Sequence, residues 1–449
     1  MEEPRRGLRL ALAVAGPGIG VYLMAVDSLA MNVALPDLQR DLGASVSALQ
    51  WVLNAYTLVI AVTVITVGRL GDVFGRRRIF VAGTLVFAAA SITSATAQNE
   101  IWLIVSRAVQ GVGGAVLFVL TLPLVTQLFP RSEVGRGAGI WSGAAGLGLA
   151  TGPLLGGILV QAVSWRAIFI INVPLGALAV ALALWTLPES REEDASRHLD
   201  VTGTVLLGAG LGALTLAIIQ ADAWGWTSAA TLGLFAAAPV LLGLFVWAER
   251  RSPAPLVDLA IFRSRGFVGA NVMAFTVFYG IYAWLFVFTL YLQNVRGRDA
   301  LEAGLHFLPY PVAYFILAPR VGKLVGRLGL RVPGAVGSAL FAAVLAGLAF
   351  VTAGTPTWVL VVPFLLIGVA TSLTNVAISA ATLSSVPEGE VGAANGIRTM
   401  STWLGSSVGV AVAGAVLVNR GLGGAIGVAA AVTALAAVAA LTTLRSRTC

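Results

Sequence analysis

Long stretches of the chain lack Asp, Glu, Lys and Arg, and these apolar stretches map its helices directly. They run over 10–26, 42–68, 79–99, 108–130, 137–165, 167–188, 201–221, 223–248, 266–295, 303–319, 332–387, 399–419 and 421–444. A helix needs about 20 mostly apolar residues to cross roughly 30 Å of hydrocarbon. The stretch 332–387 is long enough for two crossings, and Gly354-Thr355-Pro356-Thr357 near its middle supplies the turn. Fourteen membrane spans are therefore predicted. The tenth, 303–319, is short and contains Pro309 and Pro311. The polar segments 188–198 and 249–265 are the long linkers, read as solvated connectors.

Composition agrees with this map. Of 449 residues 58% are hydrophobic and only 11% charged, where soluble proteins carry about 25% charged residues. The chain is an all-α polytopic membrane protein, and an ordinary soluble enzyme is excluded. The only Cys is Cys449, which rules out internal disulfides and cysteine metal clusters. Two His residues are too few for a rich metal or catalytic centre, and no Gly-x-x-x-x-Gly-Lys-Ser/Thr loop occurs to bind ATP. No metal and no cofactor are expected.

The net charge of +8 raises nucleic acid as a partner. The placement of the charge excludes it: one face of the membrane collects 21 basic residues in short segments, and the other five (Arg40, Arg166, Arg296, Arg298, Arg420). Basic loops stay in the cytoplasm, so both termini are expected there. No cleavable signal peptide is evident, because the first apolar segment runs on to Pro36. The 27 Arg against one Lys, with abundant Ala, Val and Gly, suggest high-GC bacterial coding and the bacterial inner membrane.

The chain is also duplicated. Glu133-Val134-Gly135 through Gly139-Ile140 returns 257 residues later as Glu390-Val391-Gly392 through Gly396-Ile397, with Gly111 matching Gly368 and Pro130 matching Pro387. Gly68-Arg69-Leu70 through Gly75 and Arg77 returns 254 residues later as Gly322-Lys323-Leu324 through Gly329 and Arg331. Spans 1–6 thus repeat as spans 9–14 and leave spans 7 and 8 unmatched. This gives a six-helix bundle in 1–190, a linker and two-helix insert in 191–265, and a second six-helix bundle in 266–449.

Four segments carry chemistry. Gly68-Arg69-Leu70-Gly71-Asp72-Val73-Phe74-Gly75-Arg76-Arg77-Arg78 joins spans 2 and 3; its glycines let helix ends approach, and Asp72 can pair with nearby Arg. Its second-half copy has Gly326 in place of Asp72. In span 4, helical spacing sets Arg107, Gln110, Gly111 and Gly114 on one face. A buried Arg is costly enough to demand a cavity or a partner. Span 5 contains Gly148-Leu149-Ala150-Thr151-Gly152-Pro153-Leu154-Leu155-Gly156-Gly157, whose small residues allow tight packing and whose proline bends the helix. Span 1 contains Asp27-Ser28-Leu29-Ala30-Met31-Asn32, and Asp27 is the only carboxylate deep within a span, about 25 Å along a helix that starts near Leu10. Burial opposes a carboxylate's charge and a cation such as Arg107 supports it, so proton binding should follow conformation and cargo.

These segments resemble the major facilitator superfamily, specifically its fourteen-span drug:proton antiporter branch, and the resemblance covers essentially the whole chain. It implies the major facilitator fold, two six-helix bundles plus two extra central helices. It implies a cytoplasmic gate latch at Gly68, Asp72, Gly75 and Arg76, proton coupling at Asp27 and Arg107, and an antiporter motif at Gly148, Gly152, Pro153, Gly156 and Gly157. Importers of this fold generally lack that last motif.

Polar and aromatic positions within spans are candidate cavity residues: Asn32, Asn54, Tyr56, Gln110, Asn271, Tyr279, Tyr282, His306, Tyr310, Asn375 and Trp403. With one embedded carboxylate, the expected cargo is a small neutral or singly cationic hydrophobic compound held against aromatic walls. The function expected is proton-coupled efflux of drugs, antibiotics or secondary metabolites by a monomer, with protons as the coupling ion. A metabolite importer on the same fold and a non-transporting receptor or scaffold are the alternatives. For such exchange, Asp27 has to reach a water-accessible vestibule between the bundles.

Overall fold

The computed structural model describes residues 3–191, 200–252, 255–387 and 390–444. Its apolar stretches form α1 (Glu3–Leu42), α2 (Val46–Phe74), α3 (Arg76–Ala95), α4 (Glu100–Thr126), α5 (Val134–Ala162), α6 (Ala167–Thr186), α7 (Val201–Trp224) and α8 (Ala229–Glu249). There follow α9 (Arg265–Val295), α10 in two pieces (Ala300–Phe307 and Pro309–Leu328), α11 (Arg331–Leu348) and α12 (Val361–Ser384). The helical run Val391–Thr443 holds the last two spans, α13 (391–420) and α14 (422–443). They part at Gly421, whose φ of 69° and ψ of −172° break the helix; a side chain there would be strained. Polar side chains fix several starts by accepting from backbone N–H groups: Ser45 for α2, Asn99 for α4, Ser228 for α8 and Asp299 for α10.

The tenth span is longer than its charge-free stretch. Pro309 and Pro311 sit in the first turn of the second piece of α10, where a missing N–H costs little, and the helix continues to Leu328. The linker after α8 is not a solvated connector. Leu256, Val257 and Ile261 are buried with Phe245 and Phe267, and the buried Glu249 carboxylate accepts from Val257 N–H at 2.8 Å. The polar segment 192–199 lies outside the described residues.

The duplication is visible in the packing. In the first half α1 lies on α5, α2 on α4, α3 on α4, and α6 on α1 and α3; in the second, α9 lies along the α13–α14 run, α10 on α12, α11 on α12, and α11 also on that run. The halves meet along two seams, α2 with α13 and α5 with α10. The α7–α8 hairpin covers the first seam, with α7 against α2 and α13. Thr66 and Thr204 hydroxyls (2.9 Å), Ser47 Oγ to Ile219 O (3.4 Å) and Asn419 Nδ2 to Asp222 Oδ1 (2.7 Å) tie it there.

Among the described residues, the hydrogen bonds between the two six-helix halves gather at the arginine-poor end. Gln50 Nε2 donates to Val410 O (3.1 Å) and Ala411 O (2.7 Å), Gln293 Nε2 to Val33 O (2.7 Å), and Gln161 Nε2 to Asp299 Oδ2 (3.2 Å). The molecule is therefore fastened at that end and joined without such bonds toward the arginine-rich end.

Candidate functional site

Asp27, Arg107, Gln110 and Tyr56 come together in the core of the first half. The Asp27 and Arg107 side chains are 0% and 1% exposed and lie 2.6 Å apart (Oδ2 to an η nitrogen). Asp27 Oδ1 also accepts from Gln110 Nε2 (3.0 Å) and Asn172 Nδ2 (3.1 Å). Arg107 donates further to Gln110 Oε1 (2.7 Å) and Val52 O (3.3 Å), and its guanidinium lies over the Tyr56 ring at 4.1 Å. Ser91 Oγ accepts from both amides, at 3.0 Å and 3.3 Å.

One carboxylate thus gathers side chains from α2, α3, α4 and α6 onto α1. A buried ion pair is tolerable only when further hydrogen bonds support it, and both oxygens of Asp27 have them, while Tyr56 Oη and Asn172 Oδ1 find no protein partner. Protonating Asp27 would remove the charge that Arg107, Gln110 and Asn172 face together. Asn172 and Ser91 escaped the sequence reading; an Asn inside an otherwise apolar span was the available signal for the first. The network also corrects an expectation. Asp27 reaches no water-accessible vestibule in this conformation, because its partners and the α1 packing enclose it.

The span 5 glycines explain how that pair is coupled to the rest. Gly148, Gly152 and Gly156 lie against α1: an added Cβ would meet Tyr22 O at 2.8 Å, Leu29 Cβ at 3.0 Å and Ala30 Cα at 2.9 Å, on both sides of Asp27. Gly157, on another face of α5, would meet Leu301 Cα at 2.7 Å, and Pro153 O is in close contact with Gly304, both from α10. The motif is one helix in contact with the ion-pair helix and with the opposite half at the fastened end. Beside it, Gly146, Leu147 and Ala150 of α5 and Val312, Phe315 and Ile316 of α10 line an apolar groove.

At the arginine-rich end, Asp72 Oδ1 accepts from Arg76 at 2.8 Å, within the first half. Gly75 turns the chain with φ of 106° beside the Glu189 carboxylate, and Gly68 packs on Val119. Arg77 and Arg78 both reach Glu189 after α6, at 3.7 and 3.6 Å, and Arg77 N–H donates to it at 3.0 Å.

The remaining candidates scatter. Tyr282 packs on Trp403, and Trp403 meets Phe118 of the other half at 6.0 Å. Tyr310 packs on Trp284. Asn375 Nδ2 donates to Tyr314 Oη at 3.2 Å. Asn271 accepts from Ser401, Asn32 donates to Ser28 O, and the Tyr279 backbone lies against Gly409. His306 Nδ1 contacts Glu302 O at 2.7 Å near the arginine-poor end. Asn54 is fully buried with both amide atoms unpartnered by protein. Arg398 was passed over because it falls between two charge-free stretches and reads as a boundary. It lies inside α13, and Nε and an η nitrogen donate to Asn395 Oδ1 at 3.1 and 2.8 Å.

Two pseudo-equivalent bundles of membrane-length helices hold a sealed charge pair and a glycine helix in contact with both halves, the framework of a membrane transporter. The sequence profile of the Major Facilitator Superfamily matches residues 17–394 and 300–448, and the chain belongs to that family. Among its relatives, the "Multidrug resistance protein Stp" of Mycobacterium tuberculosis is 39% identical over 407 residues, covering 90% of this chain and 75% of that one. The "Tetracenomycin C resistance and export protein" of Streptomyces glaucescens is 36% identical over 422 residues, covering 93% and 78%. A crystal structure of an auto-inhibited POT family peptide transporter superposes with a TM-score of 0.73 over 96% of both chains at 14% identity, a likeness of fold alone.

Proposed function

We propose that this chain exports small apolar compounds from the bacterial cytoplasm in exchange for protons, by alternating access, as a monomer in the inner membrane without a cofactor. The observation that carries the proposal is the sealed Asp27–Arg107 pair, a carboxylate whose network draws on four helices besides its own. The names of the relatives support the direction of transport, and the arginine-rich face supports cytoplasmic termini.

In this conformation the end fastened by Gln50, Gln161 and Gln293 is then the outer one, and cargo approaches from the cytoplasmic side. When the halves rock, the Pro153–Gly157 side of α5 leaves α10, while its glycine face stays packed on α1 beside Asp27. Opening outward and proton access to Asp27 are in this way one movement. Proton arrival frees Arg107, and cargo release follows; deprotonation toward the cytoplasm restores the pair. On this reading Asp72 and Arg76 latch the cytoplasmic side once it closes, and their i,i+4 bond within the first half belongs to the open conformer.

The cation selectivity expected of Asp27 loses its support, since the carboxylate is already matched by Arg107. The test is Asp27→Asn in proteoliposomes under an imposed pH gradient. Gradient-driven efflux should vanish while downhill movement continues; uphill efflux at the normal rate would refute the proton role.

A further inference from the structure

The repeat places unlike side chains at matching points near the arginine-rich end. Counting the 257-residue offset, Phe118 of α4 corresponds to Asn375 of α12, and Trp141 of α5 to Arg398 of α13. In the first half the two are an aromatic pair, ring centroids 6.0 Å apart and 64° between planes. In the second half they are an amide and a guanidinium: Asn375 donates to the Tyr314 hydroxyl of α10 at 3.2 Å, and the repeat, which pairs Phe118 with Trp141, sets Arg398 in the matching place beside Asn375. The two walls belong to opposite halves, and they are bridged where Phe118 meets Trp403 of α13.

Arg398 begins about 10 Å inside α13 by helical rise. Its nearest polar partner is Asn395 on its own helix, and among the described residues it has no carboxylate within salt-bridge distance. Arg107, by contrast, has its own carboxylate partner in Asp27 and donates also to Gln110 and Val52 O. A part-buried arginine whose printed bonds go only to an amide can still offer a planar anion paired, charge-assisted hydrogen bonds. The Phe118–Trp141 pair, which touches α13 through Trp403, supplies an aromatic surface for a flat apolar body.

We propose that Arg398, with Asn375 and Tyr314, is a specificity site for aromatic cargo bearing a carboxylate or similarly acidic group, whose ring system rests on Phe118 and Trp141. This rests on the transport reading for its physiological meaning but not for its test. The probes are 2-naphthoate, its neutral methyl ester and the cationic 2-naphthylmethylamine. Equilibrium binding to the full chain in nanodiscs should favour the acid. Arg398→Gln should weaken naphthoate binding by about tenfold to a hundredfold, the worth of one charged hydrogen-bonded contact. The ester, with no charge to pair, should change far less. Arg398→Lys, which keeps the charge but not the paired donors, should bind the acid more weakly than the parent yet better than Arg398→Gln, an order that a purely folding role would not predict. Binding of the ester or the amine as tight as that of the acid overturns the proposal, and so does an equal loss of acid and ester in Arg398→Gln. Selective binding of the acid without gradient-driven export in proteoliposomes would instead sink the transport reading and leave this site standing.

Discussion

Arg107 of α4 and Phe364 of α12 stand 257 residues apart at equivalent places in the two halves. Their surroundings confirm the match: Gly111 packs against Tyr56 O in the first half, and Gly368 against Tyr310 O in the second. Gly148 and Gly152 meet the backbone of Tyr22 and Val26, and Gly405 and Gly409 that of Phe275 and Tyr279, which sets Gly280 where the first half has Asp27. Around Arg107 lies a closed polar network. Around Phe364 lies a dry aromatic cluster, with Trp284 at 4.7 Å, Phe288 at 5.4 Å and Phe307 stacked at 5.5 Å. One backbone plan thus carries two kinds of core. The first can change its charge; the second can only be packed.

The largest break in this comparison should come from Arg107→Met, which strands the Asp27 carboxylate in the core. Removing one partner of a buried pair costs about 3–5 kcal/mol, so the midpoint of thermal unfolding in detergent should fall steeply and efflux should stop. Adding Asp27→Asn to it should recover much of the lost stability without recovering proton-driven efflux. A double variant no more stable than Arg107→Met would show that the pair is not the network's organising contact.

Phe364→Ala tests the other core. Truncating a buried aromatic costs about 3–5 kcal/mol in well-packed proteins, toward the lower end where neighbours collapse. Its unfolding midpoint should fall while the pH dependence of the residual efflux stays that of the parent. A shifted pH profile would mean that the aromatic half takes part in proton handling. Substitutions at the paired glycines sharpen the contrast with smaller losses. Gly152→Val and Gly409→Val both force bulk against a neighbouring backbone, at about 1–3 kcal/mol. Only the first presses on α1 next to Asp27, so it should uncouple cargo movement from the pH gradient, read as proton leak per cargo exported.

Much of this plan is legible in the sequence because lipid imposes a simple rule: backbone must be helical and charge must stay out. The charge-free stretches therefore trace the spans, and the two repeat offsets foretell which helices share a partner. The ion pair was legible for the same reason, as Asp27 and Arg107 are expensive where they sit. What the sequence concealed is contact made by ordinary residues. Asn172 and Ser91 matter through geometry, and Glu189 through the way α6 returns to the Gly75 turn. Arg398 was hidden by its position near a span end, where a snorkelling arginine is unremarked.

The smallest effect on stability should come from the loop between α2 and α3, where the halves differ by Asp72 against Gly326. The Asp72–Arg76 pair is about one-third exposed on each side, so solvent screens it and Asp72→Asn should cost less than about 1 kcal/mol. Its consequence for transport should be out of proportion to that figure, because a latch is judged by the conformer it favours. If Asp72 holds the cytoplasmic side closed, Asp72→Asn shifts the population toward the present conformer. Labels placed on α5 and α10 at the arginine-rich end should then report a wider mean separation in the variant at equal pH. An unchanged distance distribution together with normal efflux would reduce Asp72 to a local partner of Arg76, and the two loops would then differ in sequence without differing in work.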